Sequence, residues 1–515
     1  MGLNSCILLT DSARRHPDRP VLRVGDSVVS YGRLDEDSDR AAAALRRLGV
    51  APGRAVALMV PNGVDFVVAY FAALKAGGTV VPLNVLLRAT ELEHCLRDSG
   101  VHVLIAGRAE AAEVAPIANA LGIAHVFLTG DGTPGTARAF GELIDGAEPA
   151  EPAADTEPGE VAVLLYTSGT TGRAKGARLT HSGMTWIATI LATRLLDLGP
   201  NDVVYASLPL SHIFGLNAVL GATLLAGGCV VIEQRFDPDE ALTLMARRGV
   251  SVFPGVPTMA MGLLGAYERN PVELPALRVA LLGGQSVPVE VRKSFEMIFD
   301  CHTIEAYGTS EAASAIAATP KDAPGKEASV GQPLWGVDIV IVDDNGNRCP
   351  AGQAGEILVR SVGMMAGYHN LPGETAEALR AGWFHTGDIG YLDADGDLFV
   401  VDRKKDMIIR GGYNVYPREV EEVLYTHPDV LGAAVIGVPH EVHGEEIAAA
   451  VQLRPGAPTT TGDIRAYARD RLAAYKYPRI VAFLDDLPTS STGKLLKRAI
   501  DVDELRKLAH QQEER

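Results

Sequence analysis

From Arg54 to Leu83 the sequence reads RAVALMVPNGVDFVVAYFAALKAGGTVVPL. It runs through an apolar strand, a turn at Pro61 and Asn62, a helix with apolar residues at 66, 67, 70, 71 and 74, and a Gly77-Gly78 stop before another strand. This spacing predicts a βαβ unit. The same alternation returns at HVLIAG, at VVYASLPL, from Cys229 to Val252 and at VALLGG, which predicts parallel sheets wound on both faces by helices. Ligands in such sheets sit beyond the carboxyl ends of the strands. The stretches LLYTSGTTG and ALLGGQS both have that placement.

After Tyr307 the pattern shifts to shorter strands with turn signals, VDIVIVDDNGN, GEILVRS and DGDLFVVDR, as expected of an antiparallel sheet or small barrel. Beyond Arg403 come an amphipathic helix at PREVEEVLYTHP, strands at AAVIGV and IAAAVQL, a helix near TGDIRAYARDRL and a basic region TGKLLKR. These make an α+β unit of about 110 residues, the size of a separate domain. The Pro-, Ala- and acid-rich segment from Asp145 to Glu160 reads as an exposed connector. The most apolar run, Ala218 to Ile232, is interrupted by Gly221, Gly227 and Gly228 and falls short of the ~20 residues that span a bilayer, so it reads as a buried helix running into a strand.

Composition narrows the function. A chain of 515 residues exceeds one compact core, and 47% hydrophobic with 22% charged residues is globular. A formal charge of −17 repels nucleic acid and anionic membrane, so an anionic substrate must be drawn by a local cluster of cations and amides. Cys6, Cys95, Cys229, Cys301 and Cys349 are scattered without a C-x-x-C pair, which fits reduced thiols in a cytoplasmic protein. The start MGLNSCILLTDSARRHPDRP has neither the signal-peptide nor the myristoylation pattern.

Behind the apolar run VAVLL comes LYTSGTTGRAKG, Leu165 to Gly176. It lacks the spacing of a Walker P-loop, since Lys175 lies three residues after Gly172 and precedes Gly176. The physics is shared: Gly169, Gly172 and Gly176 let backbone amides approach an anion, Thr167, Ser168, Thr170 and Thr171 offer hydroxyl donors, and Lys175 adds a charge.

YTSGTTGRAKG resembles the signature of the adenylate-forming superfamily, which includes acyl-CoA synthetases, stand-alone adenylation domains and luciferases. LPLSHIFG, LLGGQSVP, YGTSE, GWFHTGDIG, DRKKDMIIRGGYNVYPREVE and PTSSTGKLLKR follow in that family's order, so the resemblance covers nearly the whole chain. It implies an α/β N-terminal domain over residues 1–402, built of two doubly wound subdomains and a small β-barrel, and a small mobile α+β domain over 403–515, with a hinge at Lys405.

The chemistry implied is two-step: a carboxylate attacks the α-phosphorus of ATP and expels pyrophosphate, then the thiol of CoA attacks the acyl-adenylate and releases AMP. By resemblance Thr167, Ser168, Gly169, Thr170, Thr171, Gly172 and Lys175 meet the triphosphate, and Glu311 and Thr170 hold Mg²⁺. Gly284, Gln285, Ser286, Ala306, Tyr307, Gly308 and Thr309 border the adenine. Asp388 and Arg403 hold the ribose, and Lys494 bridges the carboxylate and the α-phosphate. His212 and Gly283 border the acyl pocket, and Gly411 and Gly412 line the CoA tunnel.

There are departures from the family pattern. Gln285 stands where many relatives carry a small residue, Ala174 where many carry proline, Gly411 where plant coumarate ligases have lysine, and His440 where aspartate is common. DRKKDMIIRGGYNVYPREVE is most similar to bacterial fatty-acyl-CoA ligases, so the expected substrate is a medium- or long-chain fatty acid. The rivals are an aryl-acid CoA ligase of the coumarate type and a stand-alone adenylation enzyme that loads a carrier protein. Partners are expected to be small molecules, without nucleic acid or integral membrane association, and the chain a monomer or homodimer.

Overall fold

The computed structural model describes every residue except 1, 131–136, 146–151, 168–172, 405, 441, 490–494 and 514–515. Two large sheets dominate. One has seven strands in the order Arg138–Ala139, His125–Thr129, Val103–Gly107, Ala55–Met59, Thr79–Pro82, Val161–Thr167 and Lys175–Thr180, parallel except for the last pair. The βαβ unit read from residues 54 to 83 is present as Ala55–Met59, helix Val64–Lys75 and Thr79–Pro82. That helix is buried on every side from Phe66 onward, so Lys75 is 1% exposed; its ammonium is matched by Asp35 at 2.6 Å and Asp39 at 2.7 Å, as a buried charge requires.

The second sheet has nine strands: Gln332–Pro333, Ser314–Ala318, His302–Thr309, Val279–Gly283, Val252–Gly255, Val203–Ala206, Cys229–Ile232, Pro20–Val24 and Ser27–Ser30. Its middle is parallel and its margins antiparallel. The apolar run from Ala218 is a buried helix, Phe214–Gly221 in π turns and then Ala222–Leu225, running into Cys229–Ile232. Among the described residues no helix is long and apolar enough to cross a membrane.

The region after Tyr307 contributes a four-stranded antiparallel sheet, Val337–Val342, Gly355–Ser361, Phe384–Leu392 and Leu398–Arg403. A smaller α+β domain follows. In it Gly444–Leu453 pairs with Val430–His440, Ile408–Arg410 and Ile480–Phe483, under helices Pro417–Tyr425, Thr461–Arg469 and Val502–Glu513. It buries its own apolar clusters, one around Val420, Leu424 and Ile464 and another around Ala448, Leu505 and Ala509. The connector is largely exposed in its described part, as expected, but it is anchored. Arg46 donates to the Pro152 carbonyl at 2.7 Å, the Ala154 N–H donates to the Lys75 carbonyl at 2.8 Å, and Thr156 is buried against Leu3, so residues 152–156 are laid on the N-terminal segment.

Candidate active site

The strand His302–Thr309 carries IEAYGT out of the nine-stranded sheet, while the hairpin of Phe384–Leu392 and Leu398–Arg403 brings Asp388 and Arg403 into register as direct partners. One hydrogen bond between the two sheets runs from the Tyr307 hydroxyl to Asp388 Oδ2 at 2.6 Å. Arg403 Nε stands 3.4 Å from Asp388 Oδ1. Asp388 is 7% exposed, and burial pushes its carboxyl above the usual range while Arg403 and the Tyr307 hydroxyl pull it down. Burial, then the neighbouring carboxylate, holds the Tyr307 phenol well above its ordinary value, so it is a fixed donor. Thr386 steers the same carboxylate's backbone, its hydroxyl accepting the Asp388 N–H at 3.0 Å and donating to the Ile357 carbonyl at 2.8 Å.

Next to Tyr307 the ladder slips, with a register shift between Tyr307 and Gly308. A side chain at 308 is excluded there: a Cβ would lie 1.9 Å from the Ser314 carbonyl oxygen. Thr309 ends the strand with its hydroxyl buried and without a partner among the described residues, an orphan that a bound polar ligand can satisfy. Gly283 is the register partner of Ala306, and its Cα faces Phe214, which stands at the head of the π-turn helix that follows His212. Gly284, Gln285 and Ser286 follow it directly, at the carboxyl end of Val279–Gly283.

Glu311 sits in the short helical turn Ser310–Ala312 after that strand. Its carboxylate Oε1 accepts the Tyr368 hydroxyl at 2.9 Å, and the Lys175 ammonium lies over the Tyr368 ring, 5.4 Å from its centre. The segment around Tyr368 is laced to both sides of the site. His369 N–H donates to the Gly176 carbonyl at 2.7 Å, Arg178 N–H to the Gly367 carbonyl at 3.0 Å, and Met365 N–H to the Glu311 carbonyl at 2.7 Å. The strand that leaves the phosphate-type loop is thereby fastened to the turn that bears Glu311. Thr167 closes the loop's base, its hydroxyl 3.4 Å from the Lys175 carbonyl. Ser168, Gly169, Thr170, Thr171, Gly172, Lys405 and Lys494 lie outside the described residues.

Sequence reading missed Tyr368, Thr386 and Asn62. Asn62 clasps the LPLSHIFG loop, donating to the Leu208 carbonyl at 3.0 Å and accepting the Leu210 N–H at 2.9 Å, which fixes the approach to His212. No spacing links Asn62 to Leu208 or Tyr368 to Glu311; only the PNG turn signal marked Asn62 at all. Gly411 and Gly412 form the turn of the hairpin Ile408–Arg410 and Tyr413–Val415, at φ of +58° and +84°, where a side chain is strained, and Gly411 N–H donates to the His443 carbonyl at 2.8 Å.

Among the described residues no three His, Cys, Asp or Glu side chains gather into a metal cage. A single partly buried carboxylate at Glu311 fits a magnesium ion that takes its remaining ligands from phosphate and water.

These groups, brought together on this fold, define a class, and the comparisons agree. The chain belongs to the AMP-binding enzyme family, which matches residues 9–369, with the AMP-binding enzyme C-terminal domain matching 419–494. It is an AMP-forming acyl-CoA ligase that uses ATP and CoA. The chain is similar to the long-chain-fatty-acid–CoA ligase of Bacillus subtilis (strain 168), 35% identical with 96% of this chain and 93% of that protein covered. It is 37% identical to the feruloyl-CoA synthase of an Amycolatopsis species, covering 94% of this chain and 96% of that one. Its fold matches ATP-bound MatB from Rhodopseudomonas palustris with a TM-score of 0.89 at 30% identity, covering 98% and 99% of the two chains.

Proposed function

We propose that this ligase activates a medium- or long-chain fatty acid in the cytoplasm, with magnesium, through an acyl-adenylate that is passed to CoA. One observation carries the substrate reading. The segments around the proposed acyl site, HIFGLNAVLG from His212, Gly283 to Ser286, Ala306 to Gly308 and the buried strand SAIAA from Ser314, contain no Asp, Glu, Lys or Arg. A second carboxylate or an ammonium on the substrate would be buried there without a counter-charge, which is costly. An uncharged tail meets only uncharged side chains, most of them apolar or small. The feruloyl-CoA synthase relative favours a second reading, an aryl acid, since such a wall also accepts a flat ring.

In the proposed chemistry Asp388 and Arg403 orient the ribose and Tyr307 covers the adenine. Lys175 and the amides and hydroxyls of residues 167–172 stabilise charge on the phosphoryl oxygens, the main demand of the transfer. Magnesium at Glu311 and Thr170 would neutralise phosphate charge. Lys494 is proposed to bridge the attacking carboxylate and the α-phosphate, Lys405 to be the hinge between domains 1–402 and 403–515, and the side-chain-free turn at Gly411 and Gly412 to admit the pantetheine arm.

The test is AMP release with CoA over a panel of dodecanoate, palmitate, ferulate, benzoate and malonate. The aliphatic acids should be preferred. Preference for ferulate would establish the second reading, and preference for malonate would overturn both.

A further inference from the structure

Asp393, Asp395 and Asp397 crowd the turn between Phe384–Leu392 and Leu398–Arg403. Asp393 Oδ1 folds the turn by accepting the N–H groups of Asp395 at 2.9 Å and Asp397 at 3.0 Å. The remaining oxygens converge on one point, occupied by the ammonium of Lys326, 2.5 Å from Asp393 Oδ2, 2.7 Å from Asp395 Oδ2 and 3.0 Å from Asp397 Oδ2. Lys326 comes from elsewhere, on the segment between strands Ser314–Ala318 and Gln332–Pro333 of the nine-stranded sheet.

An isolated surface ion pair contributes little. This one differs in two respects. Three like charges share one cation, so removing it leaves mutual repulsion, and Asp397 is 5% exposed, which leaves a buried carboxylate uncompensated. The strap behind Lys326 is also zipped to the same turn: Val330 N–H and Ser329 Oγ donate to the Leu398 carbonyl, each at 2.9 Å, and Leu398 N–H donates to the Gly331 carbonyl at 2.7 Å.

The nucleotide-binding groups straddle this joint. Tyr307 belongs to the nine-stranded sheet and Asp388 to the hairpin, and their hydrogen bond is one fastening between the two. The Lys326 cluster is a second fastening, at the other end of the same hairpin, where Leu392 pairs with Leu398. We propose that Lys326 is a positioning residue: its ammonium acts as a tethered cation that pins the hairpin turn to the nine-stranded sheet, and so holds Asp388 and Arg403 at the distance from Tyr307 that ATP requires. This rests on the reading of Asp388 as a ribose ligand.

The test compares Lys326→Met, Lys326→Arg and the parent in acid-dependent pyrophosphate exchange. KM for ATP should rise about 3- to 10-fold in Lys326→Met, the scale of a small misplacement of a binding group, with KM for the acid unchanged. Lys326→Arg should restore it to within about twofold, because the positive charge facing the three carboxylates is kept. An unchanged KM for ATP in Lys326→Met, whatever its melting temperature, would show the cluster to be structural only and overturn the proposal, as would equal impairment in Lys326→Arg. If Lys326→Met does not fold, Asp397→Asn removes the buried carboxylate that the Lys326 ammonium compensates. A rise in KM for ATP there supports the clamp, and no change overturns it. Failure of the ribose reading is distinguishable, because Asp388→Ala would then leave KM for ATP at the parent value.

Discussion

Tyr368 shows how one side chain joins groups that the chain separates. Its hydroxyl donates to Glu311 while its ring carries the Lys175 ammonium, so the proposed metal carboxylate and the proposed phosphate cation share a support. Burial, then Glu311, keeps the phenol protonated, so it stays a donor throughout the working range. Tyr368→Phe keeps the ring and removes only the donor. It should raise the magnesium concentration needed for half-maximal pyrophosphate exchange by about 10-fold, the worth of one hydrogen bond to a charged group, and leave saturation with acid unchanged. A magnesium titration of the exchange rate checks this. Tyr307, Asp388 and Glu311 were legible as candidates in the sequence because each stands in a motif of fixed spacing. Tyr368 was not: its partners lie on a strand and a turn that meet it only through backbone pairing of residues 365–369, and local periodicity holds no record of that pairing.

Between elements, Glu305 is a carboxylate buried at a junction. It lies on the strand that ends in Tyr307 and is 2% exposed, facing Arg292 from helix Val289–Phe299 and Arg418 and Glu422 from helix Pro417–Tyr425, while its Oε1 accepts the Val287 N–H at 3.3 Å. Burial pushes its carboxyl from the ordinary 4.5 up to about 7, with Arg418 opposing. A carboxyl raised in the folded state stabilises the fold below its unfolded value, and that contribution is lost as pH rises through about 7. Glu305→Gln removes the titration. Thermal unfolding of parent and variant at pH 5 and pH 8 should therefore show the variant gaining on the parent at the higher pH, by on the order of 3 kcal/mol at most. A difference independent of pH would contradict this. The elements themselves were largely legible: the βαβ unit, the antiparallel strands after Tyr307 and the helix over PREVEEVLYTHP all formed as their patterns predict. Strand order was not. Pro20–Val24 pairs with Cys229–Ile232 across most of the N-terminal domain, and side-chain alternation says which face is buried but not which distant strand supplies the neighbour.

At the scale of the molecule, the proposed nucleotide site is assembled from three sheets. The nine-stranded sheet brings Tyr307 and Glu311, the antiparallel sheet brings Asp388 and Arg403, and the seven-stranded sheet brings Lys175. Alternation along the sequence identified the sheets and the motifs supplied the residues, while the joint between sheets came only from the fold. The account's central claim is that this joint binds ATP for attack by a carboxylate before CoA takes part. Acid-dependent exchange of labelled pyrophosphate into ATP, with CoA withheld, measures that step alone. The parent enzyme should exchange label with dodecanoate, and Asp388→Ala should lose at least about 10-fold in kcat/KM for ATP, the change that follows from about 1.4 kcal/mol of lost interaction. Exchange that requires CoA, or that is indifferent to Asp388→Ala, would contradict it.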